Sequence, residues 1–365
     1  MDQLARSRVT RGGCGCHPHM RLIIRAALAT LVLAFGAAGA ALAHDHGHAS
    51  ERIFTLRPDP AANPEGVAFA GGAFYVSDTG SGAIYRGSLR DSTVSPFIPG
   101  ASGRSAVGLK VAGHKLYVAG GSTGAIRVYD LRTKQAIASF DTGAGGFLND
   151  LVVTRHGDVY VTDSTRPTLW HVTRDQVRAG GGTPQALDVS AGIPFQSGFN
   201  LNGIVAKGER RLIVVQTNTG KLFRIQLAHG GGAIASIAAV AGVSVPGGDG
   251  MLLDDGRLVV VQGGPPAQLS FVKLHDGASR GEVRSTRTSA NLHGPSTIAR
   301  AKDLYLIVNA DFANSAKPFT VLGLPRDDDG KDHDQGDDHG HDQGDDHGGH
   351  DQGDDHGGHG GGRDG

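Results

Sequence analysis

Four residues carry the oxygen donors around which any chemistry of this chain would be organised: Glu65, Asn149, Asn202 and Asp249. They stand in the pairs Glu65-Gly66, Asn149-Asp150, Asn202-Gly203 and Asp249-Gly250, and each pair opens a short apolar run. Two carboxylates with two amides make an all-oxygen set. Such a set suits a hard divalent cation, Ca²⁺, Mg²⁺ or Mn²⁺, better than a soft one. Asn-Gly and Asp-Gly also open tight turns, so one such pair means little. Four of them in register with a repeat are a different matter.

That repeat fixes the architecture. Six apolar segments, beginning at Phe74, Leu116, Val159, Leu212, Leu258 and Leu304, are each followed by a short polar turn and a second strand pattern. Their spacing of roughly 42 to roughly 53 residues is the length of one four-stranded propeller blade. The chain therefore reads as all-β, a six-bladed β-propeller over residues 52–326. Inner strands are expected at Gly66–Phe69, Gly108–Val111, Leu151–Val153, Gly203–Val205, Gly250–Leu253 and Ser296–Ala299. The position opening each inner strand holds, in order, Glu65, Val107, Asn149-Asp150, Asn202, Asp249 and Pro295. In a closed ring these positions face one another across the channel mouth. Five outer strands follow blades one to five; the sixth is expected from the other end of the body, Arg52–Leu56, closing the ring and removing exposed sheet edges. The polar ends of the middle strands, Asp78, Asp163, Gln216, Gln262 and Asn309, read as hairpin caps, and Trp170 and the tyrosines as core. His293 is the body histidine expected nearest the axis.

These motifs resemble those of the gluconolactonase and senescence-marker-protein (regucalcin) family. Pro64-Glu65-Gly66, Asn149-Asp150, Asn202-Gly203, Asp249-Gly250-Met251 and Asp255-Gly256 stand in the family's order across residues 52–325. The chain is most similar to secreted bacterial members. The resemblance implies a six-bladed propeller with one divalent metal at the channel mouth, held by Glu65, Asn202 and Asp249 with Asn149 beside it. It further implies lactone or ester hydrolysis, in which Asn149 holds substrate and Asp249 doubles as base. Two positions depart from the pattern: Phe147 stands where sugar-acid hydrolases of the family carry an arginine, and Gly248 where they carry a proline. Loss of the arginine points away from sugar lactones.

The ends of the chain are of another kind. Arg21, Arg25 and the apolar run Leu22–Ala43, ending Ala41-Leu42-Ala43, read as a secretory signal peptide over residues 1–43, with Met20 able to serve as the start. Both cysteines, Cys14 and Cys16, precede that cleavage point, so the mature chain has no disulfide and no thiolate ligand. Residues 44–51 are His-rich. Cleavage after Ala43 would leave His44-Asp45-His46 at the terminus, where the free amine, two amide nitrogens and the His46 imidazole make a square-planar Cu²⁺ or Ni²⁺ site.

Residues 327–365 form a tail in which His-Asp-Gln-Gly-Asp-Asp-His-Gly-Gly occurs at His341–Gly349 and His350–Gly358. With almost no apolar residue it cannot bury surface and is expected to be disordered. Its histidines, His333, His339, His341, His347, His350, His356 and His359, together with carboxylates suit loose binding of Zn²⁺, Ni²⁺ or Cu²⁺.

The near-neutral total charge conceals a split: residues 44–326 carry 28 Lys+Arg against 21 Asp+Glu, and the tail 14 Asp against one Lys and one Arg. That acidic tail argues against nucleic acid as a partner. The expected protein is secreted or periplasmic, not membrane-bound after cleavage, and acts on a small molecule. A metal-dependent lactonase or esterase is the first reading. A non-catalytic ligand-binding propeller and a metal-handling protein using its tail are the alternatives.

Overall fold

The computed structural model describes residues 50–56, 63–313 and 318–326. The leader, the amino-terminal His44 and His46 and the seven tail histidines lie outside the described residues.

Twenty-four strands form six four-stranded antiparallel blades. The inner strands are Pro64–Ala70, Leu109–Ala112, Leu148–Val153, Leu201–Ala206, Gly248–Asp254 and Pro295–Ala301. Each touches the inner strands of the blades before and after it, and the sixth touches the first, so they ring one axis. Every strand expected from the sequence is present, with ends displaced by a few residues. One element was not expected. A helix, Arg174–Ala179, links the third and outer strands of the third blade. Its Thr173-x-x-Gln176 capping box and the left-handed Gly180 that ends it are readable local signals within an otherwise β pattern.

The middle strands read as unbroken apolar runs because both faces of each blade are covered, as in any sheet packed on two sides. Leu258 and Val260 pack toward the fourth blade with Ile213 and Val215, while Val259 and Val261 pack toward the sixth with Ile298 and Ile307. The same division holds around the ring, giving six apolar clusters, one at each interface between blades. Each fully buried Val, Leu or Ile contributes about 1.5–3 kcal/mol. Packing between blades thus holds the described residues together, and none of them is a cysteine.

Ring closure is double. Arg52–Leu56 is the outer strand of the sixth blade, antiparallel to Thr320–Pro325 from Arg52↔Gly323 to Thr55↔Thr320. The same strand then runs parallel to the outer strand of the first blade at Thr55↔Thr93 and Leu56↔Val94. Phe54, fully buried, meets Phe74 of the first blade edge-on at 5.0 Å. On the sixth blade's other side, buried Asp254 of the fifth blade accepts from Arg300 at 2.7 Å, the Tyr305 hydroxyl at 2.7 Å and Arg326 Nε at 2.9 Å. Arg326, just past the last strand, is thereby fixed to the neighbouring blade. Among the described residues no helix is long and apolar enough to cross a membrane.

Phe54→Ala is expected to destabilise the protein by about 3–5 kcal/mol, because it removes a fully buried ring from the closing interface. Ile53→Ala, at a side chain 40% exposed on the same strand, is expected to cost far less. Equal losses in chemical denaturation would show that this strand does not close the ring.

Candidate functional site

The donor residues do not sit in turns. Each lies in a β-bulge at the start of its inner strand, where two residues oppose one. Pro64 pairs with Asp78 and Val67 with Val76, leaving Glu65 and Gly66 against Ser77. The same break places Asn149-Asp150 against Thr162, Asn202-Gly203 against Val215 and Asp249-Gly250 against Val261. A bulge of this kind re-aims a side chain while the ladder continues on either side.

The glycine of each pair answers to space rather than to turn geometry. A Cβ on Gly108 would lie 2.5 Å from the Asn149 carbonyl oxygen, and one on Gly250 2.6 Å from Thr297 Cα. Gly66 against Val107 and Gly203 against Asp249 are tighter still. The second bulge residue is therefore where one blade's backbone abuts the next. Where glycine is absent, side chains make the link: in the third blade Asp150 Oδ2 accepts from Ile204 N at 3.4 Å, and Thr162 donates to the Asn202 carbonyl at 2.7 Å.

The sixth blade requires a correction. Its bulge holds Ser296-Thr297, so Ser296, not Pro295, is in register with the donor position. Ser296 donates to the Glu65 carbonyl at 2.7 Å and Thr297 donates to the same oxygen, so this blade supports the ring's backbone.

The four donor side chains share one property. Glu65, Asn149 and Asn202 are buried and Asp249 is half-buried. Each nevertheless ends in a buried oxygen with no hydrogen-bond partner: Glu65 Oε2, Asn149 Oδ1, Asn202 Oδ1 and Asp249 Oδ1. A buried acceptor left in this state costs about 1–3 kcal/mol, more if charged. Their neighbours hold them so. Asn149 Nδ2 donates to Ser164 Oγ at 3.0 Å, and that hydroxyl donates to the Leu201 carbonyl at 2.6 Å, which leaves Oδ1 outward. The Asn202 amide donates toward Asp249.

Electrostatics tie the set together. Burial drives the Glu65 carboxyl well above its ordinary range, with the Asp249 and Asp150 charges adding to the rise and Lys110 opposing it. Burial first and Asp150 second push Asp249 up to about 8, against the Asn202 hydrogen bond. Like charges gathered in a desolvated place hold protons unless a cation replaces them. Among the described residues no three His, Cys, Asp or Glu side chains make a metal cluster. The unpartnered atoms of Glu65, Asn149, Asn202 and Asp249 are two carboxylate and two amide oxygens, all of them hard donors.

Asp150 belongs to another arrangement. It is buried, paired with Lys110 Nζ at 2.9 Å, and accepts from Leu151 N at 2.8 Å. Lys110 was not singled out from the sequence, yet a signal existed. It stands in the column Ala68, Lys110, Val152, Val205, Leu252, Ala299, where it alone is charged.

The polar ends of the middle strands are caps, as expected. Asp78 accepts from Asn63 N at 2.8 Å and Gly80 N at 3.0 Å, and Gln262 donates to the Pro246 carbonyl at 2.8 Å. Burial raises the Asp163 carboxyl, but bonds from Phe147 N, Arg166 and Trp170 bring it below the usual carboxylate range. His293 is exposed and shares a cavity with Ile53, Pro318 and Thr320 rather than with the donor residues. Phe147 meets Phe199 edge-on at 4.9 Å, and Phe199 is 46% exposed. A cavity of about 430 Å³ opens beside Asp249, with Pro265, Pro295 and Phe312 in its wall.

No protein-family model and no curated protein matches the sequence. Among solved structures the chain is similar to a selenomethionine-substituted virginiamycin B lyase from Staphylococcus aureus, with TM-score 0.50 and 10% identity over 75% of this chain and 99% of that one. It is similar also to a catalytically inactive variant of that lyase with quinupristin, with TM-score 0.52 and 12% identity over 76% and 89%. At such identity the likeness shows the fold, a β-propeller.

Gly203→Ala is expected to destabilise the protein by about 3 kcal/mol, since the new methyl meets backbone of the fifth blade. Gly264→Ala, where a Cβ meets nothing within 4 Å, is the control and is expected to be near neutral. Similar melting temperatures for the two variants would refute close approach as the reason for glycine.

Proposed function

We propose that this protein is a lactone or ester hydrolase of the gluconolactonase-like type, with a divalent cation (Ca²⁺, Mg²⁺ or Mn²⁺) at the channel mouth. One observation carries the reading: four side chains on equivalent bulges of four blades each end in a buried, unpartnered oxygen. Glu65, Asn202 and Asp249 would hold the cation, with Asn149 beside them. A secretory leader over residues 1–43 would put this work outside the cytoplasm.

When bound, the cation would polarise the ester carbonyl and stabilise negative charge developing on its oxygen. The protein's own residues supply the remainder. Asp249 removes a proton from water as the water oxygen bonds to the carbonyl carbon. The ring C–O bond then breaks, and the carboxyl of Asp249 returns that proton to the departing alkoxide, giving a hydroxy acid. The Asn149 amide, fixed through Ser164, positions the substrate.

Elemental analysis and calorimetry on the full chain are expected to find one more tightly held divalent ion in the wild type than in Asp249→Asn. Turnover of a lactone should fall by at least about 100-fold in the same variant. Equal metal content in the two proteins would rule out the site.

The pH dependence follows from the raised carboxyls. Protons on Glu65 and Asp249 compete with the cation, so affinity should climb with pH and level off above about 8. Each binding event should release protons at pH 6, measurable as a buffer-dependent calorimetric heat. The sign for the metal-free protein is opposite. A carboxyl raised in the folded state retains a proton that the unfolded chain has already lost. Its contribution to stability is therefore complete below the ordinary value of 3.8 and declines as pH rises toward about 8. Affinity that fell or stayed level between pH 6 and 8 would contradict this assignment.

A further inference from the structure

The second blade contributes no donor side chain to the ring. Its inner strand, Leu109–Ala112, pairs with Lys115–Ala119 without a bulge, and Val107 stands where four other blades carry an acid or amide. What this blade supplies is a charge. Lys110 stands three residues after Val107, as Val152 and Val205 stand three after Asn149 and Asn202. Those valines pack into the apolar clusters toward the following blade. Lys110 crosses the same kind of boundary to Asp150 of the third blade, Nζ to Oδ1 at 2.9 Å. Asp150 is 1% exposed; Leu151 N donates to the same oxygen at 2.8 Å, and Ile204 N donates to Oδ2 at 3.4 Å. The pair is therefore fixed in place, adjacent to Asn149. An ion pair at a boundary that apolar side chains fill elsewhere is weak evidence of a stabilising device. Beyond burial itself, the ring carboxyls respond to both of its charges: Glu65 and Asp249 to Asp150, and Glu65 to Lys110.

We infer that Lys110, held by Asp150, sets the valence of the cation accepted at the channel mouth, favouring a divalent over a trivalent ion. The inference rests on the cation site proposed above, and not on the hydrolysis. A cation among Glu65, Asn202 and Asp249 lies in the field of two fixed charges outside its ligand set. Coulomb energy is proportional to the charge of the ion, so the Lys110 ammonium repels a trivalent ion more than a divalent one. Asp150 attracts in the same proportion. With Glu65 and Asp249 ionised, the three carboxylates and one ammonium leave two negative charges, which a divalent ion neutralises. Without the ammonium three remain, and a trivalent ion gains most.

The full chain is titrated calorimetrically with Ca²⁺ and with Tb³⁺, an ion of similar size and the same preference for oxygen. Any ions held by the tail are common to every variant, and the ring's ion is the one absent from Asp249→Asn. Lys110→Met should raise the ratio of Tb³⁺ to Ca²⁺ affinity about tenfold or more, and Asp150→Asn should lower it by a similar factor. The double variant should return to within about threefold of the wild type, because the two charges cancel. Proton competition at the carboxyls is common to both ions and drops out of the ratio. Asp150→Asn keeps an acceptor oxygen for Leu151 N, so it tests the inference by itself if Lys110→Met does not fold.

A purely structural role for the pair would weaken binding of both ions alike and leave the ratio in place. A ratio unmoved by Asp150→Asn, or moved in the same direction by both single variants, therefore overturns the inference while the cation site stands. A wild type that holds no more ions than Asp249→Asn removes the cation site and this inference with it.

Discussion

Backbone meeting backbone at the start of the inner strands is the constraint on which the rest of the structure depends. At four of the six boundaries neighbouring inner strands approach more closely than a side chain allows. At Gly66, Gly108, Gly203 and Gly250 the space for a Cβ is taken by the next blade. In the third and sixth blades Asp150 and Thr297 occupy that boundary, and both convert it into hydrogen bonds with the following blade. The ring is thus held at its narrowest point by main-chain contacts, and at larger radius by six apolar interfaces. Neither set is sufficient alone. Without the close approach the wedges would not converge, and without the apolar faces nothing would press them together.

The same constraint produces the candidate site. A bulge is a means of fitting an extra residue where strands crowd, and it turns the first residue of each pair out of the ladder. The carbonyls of Val107, Asn149, Asn202 and Glu65 are taken by neighbouring blades. Only the side chains remain to face the axis. Four of these are acids or amides, and their unpartnered oxygens carry a desolvation cost of about 1–3 kcal/mol each. One fully buried aliphatic residue at a blade interface offsets a cost of that size. A fold with six such interfaces can therefore maintain an unsatisfied polar ring that a smaller core could not. On the proposed reading, a bound cation converts that cost into affinity.

Strand pattern and period are local properties, so the blades and their closure by Arg52–Leu56 were legible in the residues. The four donors were legible because charge and amide recur in register. What escaped notice depended on neighbours. Pro295 draws attention beside an inner strand, but the bulge register assigns the position to Ser296, and register is set by pairing with Leu304–Asn309 rather than by composition. The pairs with glycine looked like turn formers, since Asn-Gly and Asp-Gly are common in turns. Their actual role as contact points appears only when the next blade is in place. Lys110 was visible as a charge in an apolar column, but its partner, Asp150, is 40 residues away. Of the cavity at Phe312 only Asp249 and Pro295, which stand on strands, were legible; the rest of its described wall comes from loops, and loops carry no period.

The ring donors and the aromatic side chains around them therefore arise from different parts of the fold. The ring residues sit on strands, fixed by the ladder and the adjoining blade, and their geometry cannot change without moving the backbone. Phe147, Phe199 and Phe312 sit on connections, where substitution disturbs little besides the surface offered to a ligand. Two basic groups near the mouth are already engaged: Lys110 pairs with Asp150, and Arg166 pairs with Asp163 at 2.7 Å while lying over the Trp170 ring. Neither is free to grip a carboxylate or phosphate. Lys110, held by Asp150, is also the positive charge that opposes the rise of the Glu65 carboxyl.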